Sequence, residues 1–258
     1  MTLELYNFPP STCSLKVRIC LAEKDLEWVD RRMDSRLGEH LRPEYLKLNP
    51  NAVVPTLVHD GAVIIDSSVI MEYLDEVFPD TSLTPPDPVE RAQMRKWLRY
   101  FEEVPTPAVR YPSFQRVLIN GFKDLDDEAF RQAADSRPVR SHFYKRMGRD
   151  GFADEEMNKS TDDMRQTVTR MEKALVDTGG PWLMGTRYTL ADICVAPLID
   201  RMEDLGMEWL WEENHPHVTA WFAAMKARPA YAKAFYEGAR FSEIYPELPL
   251  GRGSAAKE

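Results

Sequence analysis

Ser11, Thr12, Cys13 and Ser14 stand in a row just after Pro9-Pro10 and just before a segment patterned as a helix. A helix start carries unpaired backbone N–H groups and about half a positive charge. A thiol placed there is stabilised as its anion and so becomes a better nucleophile. A hydroxyl there can donate to a thiolate bound from outside. Either arrangement suits chemistry on sulfur, and the same residues also serve as ordinary helix caps or, for cysteine, as a small buried side chain.

Val54-Pro55 precedes an apolar run, Thr56 to His59. A proline entering a strand cannot donate to the ladder. If the Val54–Pro55 peptide is cis, the carbonyl and N–H of Val54 face outward, and an extended peptide ligand can pair with them as an added strand. Asp66-Ser67-Ser68 opens the next helical pattern. Beyond capping it, this trio can form an anion site in which N–H groups and the Ser67 hydroxyl receive a carboxylate while Asp66 meets an ammonium. A site that takes both charges suits the α-amino acid end of a ligand.

The elements that position these groups follow from pattern. Leu3–Phe8 alternates and reads as a strand, a helix starts near Cys13, and Leu26–Arg32 reads as a second strand. Pro43–Leu48 suggests a short helix. Val53–His59 and Ala62–Ile65 flank Asp60-Gly61, the signature of a tight hairpin. A helix follows from Ser67, giving βαβαββα in residues 1–80. Pro79, Pro85, Pro86 and Pro88 mark a linker at 81–88, and Asp87-Pro88 reads as an N-cap followed by proline at the first helical position. Beyond it strand signals fade. Met94, Trp97, Leu98 and Phe101 form one apolar stripe, Met164, Val168, Met171 and Leu175 another, and helical segments follow at 190–210 and 216–236. The expected fold is therefore α/β in residues 1–80 and an all-helical bundle in 89–250. The charged stretch 120–162 reads as a solvated helical insertion, and 251–258 as a disordered tail.

The chain has 258 residues, 43% of them hydrophobic, enough for two domains with a sizeable core. Its formal net charge of −9 repels phosphate backbones and speaks against nucleic-acid binding. The opening segment has neither a basic region nor a long apolar run, and no window approaches membrane-spanning length, so a cytoplasmic, membrane-free protein is expected. Cys13, Cys20 and Cys194 are too few for a disulfide framework, with Cys20 and Cys194 read as core packing. The absence of CxxC and HExxH predicts no metal site and makes a dithiol oxidoreductase a poor fit, leaving a monothiol activity through Cys13 open.

Taken together, the loop Ser11–Ser14 with Lys16-Val17-Arg18, the run Asn49 to Leu57, the run Asp66 to Leu74, and Tyr188-Thr189-Leu190-Ala191-Asp192-Ile193 resemble the glutathione transferase superfamily over nearly the whole chain. The resemblance implies a thioredoxin-like N-terminal domain and glutathione as co-substrate. By it, Val54 pairs with the cysteinyl part, Pro55 is cis, Asp66 and Ser67 hold the γ-glutamyl end, and His40 lies near the glycyl carboxylate. Thr189 to Asp192 matches the family's structural capping box. The activating residue stays open among Ser11, Cys13 and Ser14. Cys13-Ser14-Leu15 is similar to beta-class enzymes, the whole loop to tetrachlorohydroquinone dehalogenases, and Ser14 with Arg149 to Phe152 to lignin β-aryl etherases. The implied activity is thiol transfer to a hydrophobic, aromatic electrophile in a pocket drawing on Tyr100, Arg110, Tyr111 and Phe114. Ether cleavage, reductive dehalogenation and a non-catalytic interaction module are the alternatives. The family's habit implies a two-fold homodimer, with detoxification or aromatic degradation as the setting.

Overall fold

The computed structural model describes residues 2–254. The chain runs β1 (Leu3–Asn7), α1 (Thr12–Glu23), β2 (Val29–Arg32), α2 (Pro43–Leu46), β3 (Thr56–His59), β4 (Ala62–Ile65) and α3 (Ser67–Val77). The strands form one sheet in the order β2-β1-β3-β4. β2 is parallel to β1, while β3 and β4 are antiparallel to their neighbours. The α1 helix joins the parallel strands β1 and β2 and shares a core with Leu5 and Leu57, with Val17, Ile19, Cys20 and Leu21 fully buried. Asp60 and Gly61, at φ 47° and 88°, make the hairpin turn that Asp-Gly favours, because both central residues of such a turn need positive φ.

A helical half follows: α4 (Pro88–Glu103), α5 (Pro105–Ala108), α6 (Arg110–Arg116), α7 (Asp127–Asp135), α8 (Ser141–Met147), α9 (Asp154–Thr178) and α10 (Leu190–Asp204). Short helices α11 (Trp209–Glu212), α12 (Pro216–Lys226), α13 (Pro229–Ala234) and α14 (Phe241–Ile244) complete it. Asp87 caps α4 by accepting from the N–H groups of Val89 and Glu90, both at 2.9 Å. Thr189 and Asp192 form the expected capping box at α10, and Asp192 also accepts from Leu183 N–H at 3.0 Å and Trp221 Nε1–H at 2.9 Å. Burial raises the Asp192 carboxyl to about 6 despite these donors.

One apolar core crosses both halves, joining Leu5, Leu57 and Met71 to Leu98, Phe101, Met164 and Ile199. Lys16 of α1, fully buried, donates to Glu102 of α4 at 2.7 Å and to Thr106 of α5 at 3.1 Å. Arg228 grips Glu23 through Nε at 2.5 Å and a terminal nitrogen at 2.8 Å.

Two sequence expectations change. The 120–162 stretch is helical, as expected, but it is not merely a solvated face. Phe130, Ala134, Tyr144, Met147 and Phe152 build a second core with Phe114 and Ile119. Its charges sit on the outer side of α7, and its apolar residues recur at helical spacing between them. The disorder expected from residue 251 does not extend to 251–254. Gly251 N–H donates to Asp204 O at 2.7 Å, Gly253 N–H to Glu208 Oε1 at 2.6 Å, and Arg252 to Glu203 at 2.8 Å. Residues 255–258 lie outside the described residues.

Candidate active site

Pro9-Pro10 end β1 and turn the chain into α1. Ser11, at φ −72° and ψ 120°, is the N-cap, and its Oγ accepts from Ser14 N–H at 3.3 Å. No acidic residue occupies the first turn, so the positive end of the helix keeps its full pull on an anion. Ser11, Thr12 and Cys13 face a cavity of about 580 Å³. Cys13 is partly exposed there. Ser14 points the other way: it is fully buried, its Oγ finds no hydrogen-bond partner among the described residues, and it does not line the cavity. One turn on, the Lys16 ammonium lies beneath the loop. Burial opposes its charge, but Cys194, Cys13 and Glu102 outweigh that and raise its pKa.

The Val54–Pro55 peptide is cis. Behind it, Tyr45 Oη and Asn49 Nδ2 donate to the Val53 carbonyl at 2.6 and 2.8 Å, and both side chains reach Thr56 Oγ1. These bonds fix the approach to β3, whose ladder with β1 begins only at Thr56. Val53 and Val54 line the cavity, while Pro55 is buried behind them.

Asp66, at φ 73°, caps α3. Its Oδ1 accepts from Ser68 N–H at 3.0 Å, Val69 N–H at 3.2 Å and Ser68 Oγ–H at 2.7 Å, and none of these bonds uses Oδ2. Asp66 is exposed and Ser67 buried, and neither lines the cavity. The α3 start is thus a separate polar spot next to the cis-proline strand.

The cavity wall facing the α1 start comes from the helical half. Arg110 and Phe114 line it, as the sequence suggested. Tyr100 and Tyr111 do not. Tyr100 bonds Thr167 Oγ1 at 3.1 Å and lies under Arg170, whereas Tyr111 packs against Phe143 and Phe152 on the second core. Both lie on helix faces turned from the cavity, a distinction that composition cannot make. His40 lines the cavity with its ring edge-on to Phe8. Burial, then Arg137 and Arg140, push its pKa down to about 4, so it is neutral at neutral pH. Sequence reasoning missed Phe122, Arg137, Arg140, Tyr144, Arg201 and Phe241, all of which line the cavity. A signal existed for some of them: Arg137 and Arg140 stand three apart in the insertion, just before the aromatic pair Phe143-Tyr144.

Residues 10–77 match the family model for the glutathione S-transferase N-terminal domain, and residues 154–224 that for its C-terminal domain. The chain is 33% identical over 247 residues to Protein LigF of Sphingobium sp. (strain NBRC 103272 / SYK-6), covering 93% of this chain and 95% of that protein. The chain belongs to the glutathione S-transferase family. The crystal structure of that relative, a beta-etherase, superposes with a TM-score of 0.83 at 32% identity, over 91% of this chain and 99% of the other. The tetrachloro-p-hydroquinone reductive dehalogenase of Sphingobium chlorophenolicum is 27% identical over 90% of this chain and 95% of its own length. Glutathione is thus the co-substrate of this transferase. Its thioredoxin-like half carries the α1 start and the cis-proline strand, and its helical half supplies the opposite wall.

Proposed function

We propose that this transferase holds glutathione along Val54 and the α3 start and uses its sulfur, at the α1 start, to attack an aromatic electrophile in the cavity. The observation that carries this reading is the joint opening of Ser11, Cys13 and Val54 onto one cavity whose far wall is aromatic. In this reading the Val54 backbone pairs with the cysteinyl unit, the Ser67 hydroxyl and α3 N–H groups take the γ-glutamyl carboxylate, and Asp66 Oδ2 takes its ammonium. Pro55 and His40 shape the two sides of that strip.

Ser11 is the favoured activator. Its oxygen already accepts from Ser14 N–H, but its hydroxyl proton remains available to a thiolate. Each pKa unit of thiol acidification is worth ~1.4 kcal/mol, so one charge-assisted hydrogen bond and a helix end suffice for one to two units. Ser14, buried behind the loop, acts as packing. The thiolate then forms a C–S bond while the C–O or C–X bond breaks. The thiol proton, given up beforehand, balances the departing phenolate or halide. The 33% identity to the beta-etherase supports an ether as the leaving group, and the 27% identity to the reductive dehalogenase a halide.

A second reading rests on Cys13, the partly exposed thiol at the same helix start. After C–S bond formation, Cys13 can attack the glutathione sulfur. The carbon then leaves with the electron pair and takes a proton, and a Cys13–glutathione disulfide remains for a second glutathione to reduce. That sequence is reductive dehalogenation.

The same reading divides the chain at 81–88, sets the enzyme in the cytoplasm, in detoxification or aromatic degradation, and makes it a homodimer. Exposed Val63, Val69, Val77 and Val89 on β4, α3 and α4 offer apolar surface for the second copy. The test is incubation with glutathione and, separately, a β-aryl ether, a chlorohydroquinone and a chlorodinitrobenzene. Thioether products with Cys13→Ala active support the first reading. Turnover lost in Cys13→Ala, with a glutathionyl adduct trapped on the wild type, supports the second. No turnover of any of them contradicts both.

A further inference from the structure

The cavity is basic in an acidic protein. Arg36, Arg110, Arg137, Arg140 and Arg201 line it, and among the described residues no aspartate or glutamate does. Two of these charges are answered elsewhere: Arg36 pairs with Asp34 at 2.7 Å, and Arg201 has Asp204 at 3.8 Å and donates to the Pro10 carbonyl. The other three make no ion pair with a carboxylate among the described residues, Glu102 acting on Arg110 only from farther off. Arg137 donates to the Ala133 carbonyl and lies 4.3 Å above the Tyr144 ring. Arg110 and Arg140 make no hydrogen bond or ion pair from their side chains among the described residues.

Like charges held together in a half-buried site repel each other and lose hydration, and an anion set among them repays both costs. The cluster acts on its surroundings: burial and then Arg140 disfavour the charge of Arg110, while Cys13 and Glu102 favour it, and burial with Arg137 and Arg140 keeps His40 neutral. Beside the guanidinium groups, Phe114, Tyr144 and Phe122 meet edge to face at 5.4 and 5.6 Å and present a ring-sized apolar wall. With a net charge of −9, the rest of the surface does not collect anions, so this concentration of positive charge is local to the cavity.

Resting on the transferase reading above, we infer that the second substrate is an aromatic electrophile bearing a carboxylate, which Arg110, Arg137 and Arg140 bind while its ring lies against Phe114, Phe122 and Tyr144. A carboxylate suits them because a guanidinium donates to both of its oxygens at once. The glycyl carboxylate of glutathione is the other source of the same chemistry. It is distinguished by keeping a glutathione analogue bound during the measurement.

The test is calorimetric titration of 4-chloro-3,5-dinitrobenzoate, and separately of the matched benzamide, into enzyme saturated with S-methylglutathione, whose sulfur cannot attack. The benzoate should bind about tenfold more tightly than the amide or better, with the advantage shrinking as salt is added. The doubly substituted Arg110→Gln/Arg140→Gln protein should bring that ratio toward one. Equal affinities for the wild type overturn the inference, and so does a preference present without S-methylglutathione but lost with it, since the arginines then serve glutathione. The wild-type ratio and its salt dependence decide the matter even if the double variant does not fold. Conjugation assays with glutathione are run alongside. A failure to turn over either compound counts against the transferase reading, while the binding ratio judges this one separately.

Discussion

Ser11 and Ser14 show how differently two hydroxyls three residues apart can be employed. Ser11 lines the cavity and uses its oxygen as a cap acceptor, while Ser14 is sealed beneath it. Ser11→Ala should therefore lower kcat with glutathione by about 10- to 100-fold, the cost of a charge-assisted donor to a thiolate. Ser14→Ala should change kcat by less than about threefold, as steady-state kinetics on matched preparations will read. His40 gives a pH signature. Folded, it titrates near 4, and unfolded near 6.5. Between those values the unfolded chain binds more protons, so stability is full above 6.5 and falls as pH drops toward 4. Urea melts should show this acid loss, up to about 3 kcal/mol, and show it flattened in His40→Gln. At this scale the sequence was informative about local backbone, the Ser11 cap, the cis Val54–Pro55 peptide and the Asp66 cap, because neighbouring residues along the chain set them. It was poor for Tyr100 and Tyr111, whose ring direction depends on which neighbouring helix each faces.

Helix ends were the most legible elements. Ser11, Asp66, Asp87 and Thr189 all cap where their types and spacing predicted. Removing the exposed cap with Asp87→Ala should cost about 1 kcal/mol in denaturant unfolding. Asp192 is another matter. Its Oδ2 accepts from Thr189 N–H at 3.0 Å, and its Oδ1 takes Leu183 and Trp221. Asp192→Asn replaces one acceptor oxygen by a donor inside the core, so unfolding free energy should drop by roughly 2–4 kcal/mol. The α7–α8 insertion was the least legible element. Its helices were anticipated, but its aromatic residues belong to a second core and to the cavity wall, and that assignment depends on a partner, α6, that lies before it in the chain. Phe130→Ala should lower stability by about 3 kcal/mol and weaken binding of aromatic second substrates more than binding of glutathione.

At the scale of the molecule, the two halves are joined by a continuous core and by the partly buried Lys16–Glu102 and Arg228–Glu23 pairs, so the α1 start is positioned by both. That continuity ties the α1 and Val54 side of the cavity to its aromatic, arginine-lined side. The βαβαββα order and the helical half were readable from hydrophobic periodicity; the cavity was not, since it exists only where the halves meet. If the exposed valines of β4, α3 and α4 cover a second copy, sedimentation should give a dimer, and Val69→Glu with Val89→Glu should give a monomer. The central claim is that the α1 start turns bound glutathione into a thiolate at neutral pH. It is tested most directly by titrating the ultraviolet thiolate absorbance of enzyme-bound glutathione against pH, in Cys13→Ala protein with and without Ser11→Ala. With Ser11 present, the bound thiol should titrate at least one unit below its usual value of ~8.5, and much of that shift should vanish in Ser11→Ala. A bound thiol that titrates at its ordinary value with Ser11 in place would contradict the account.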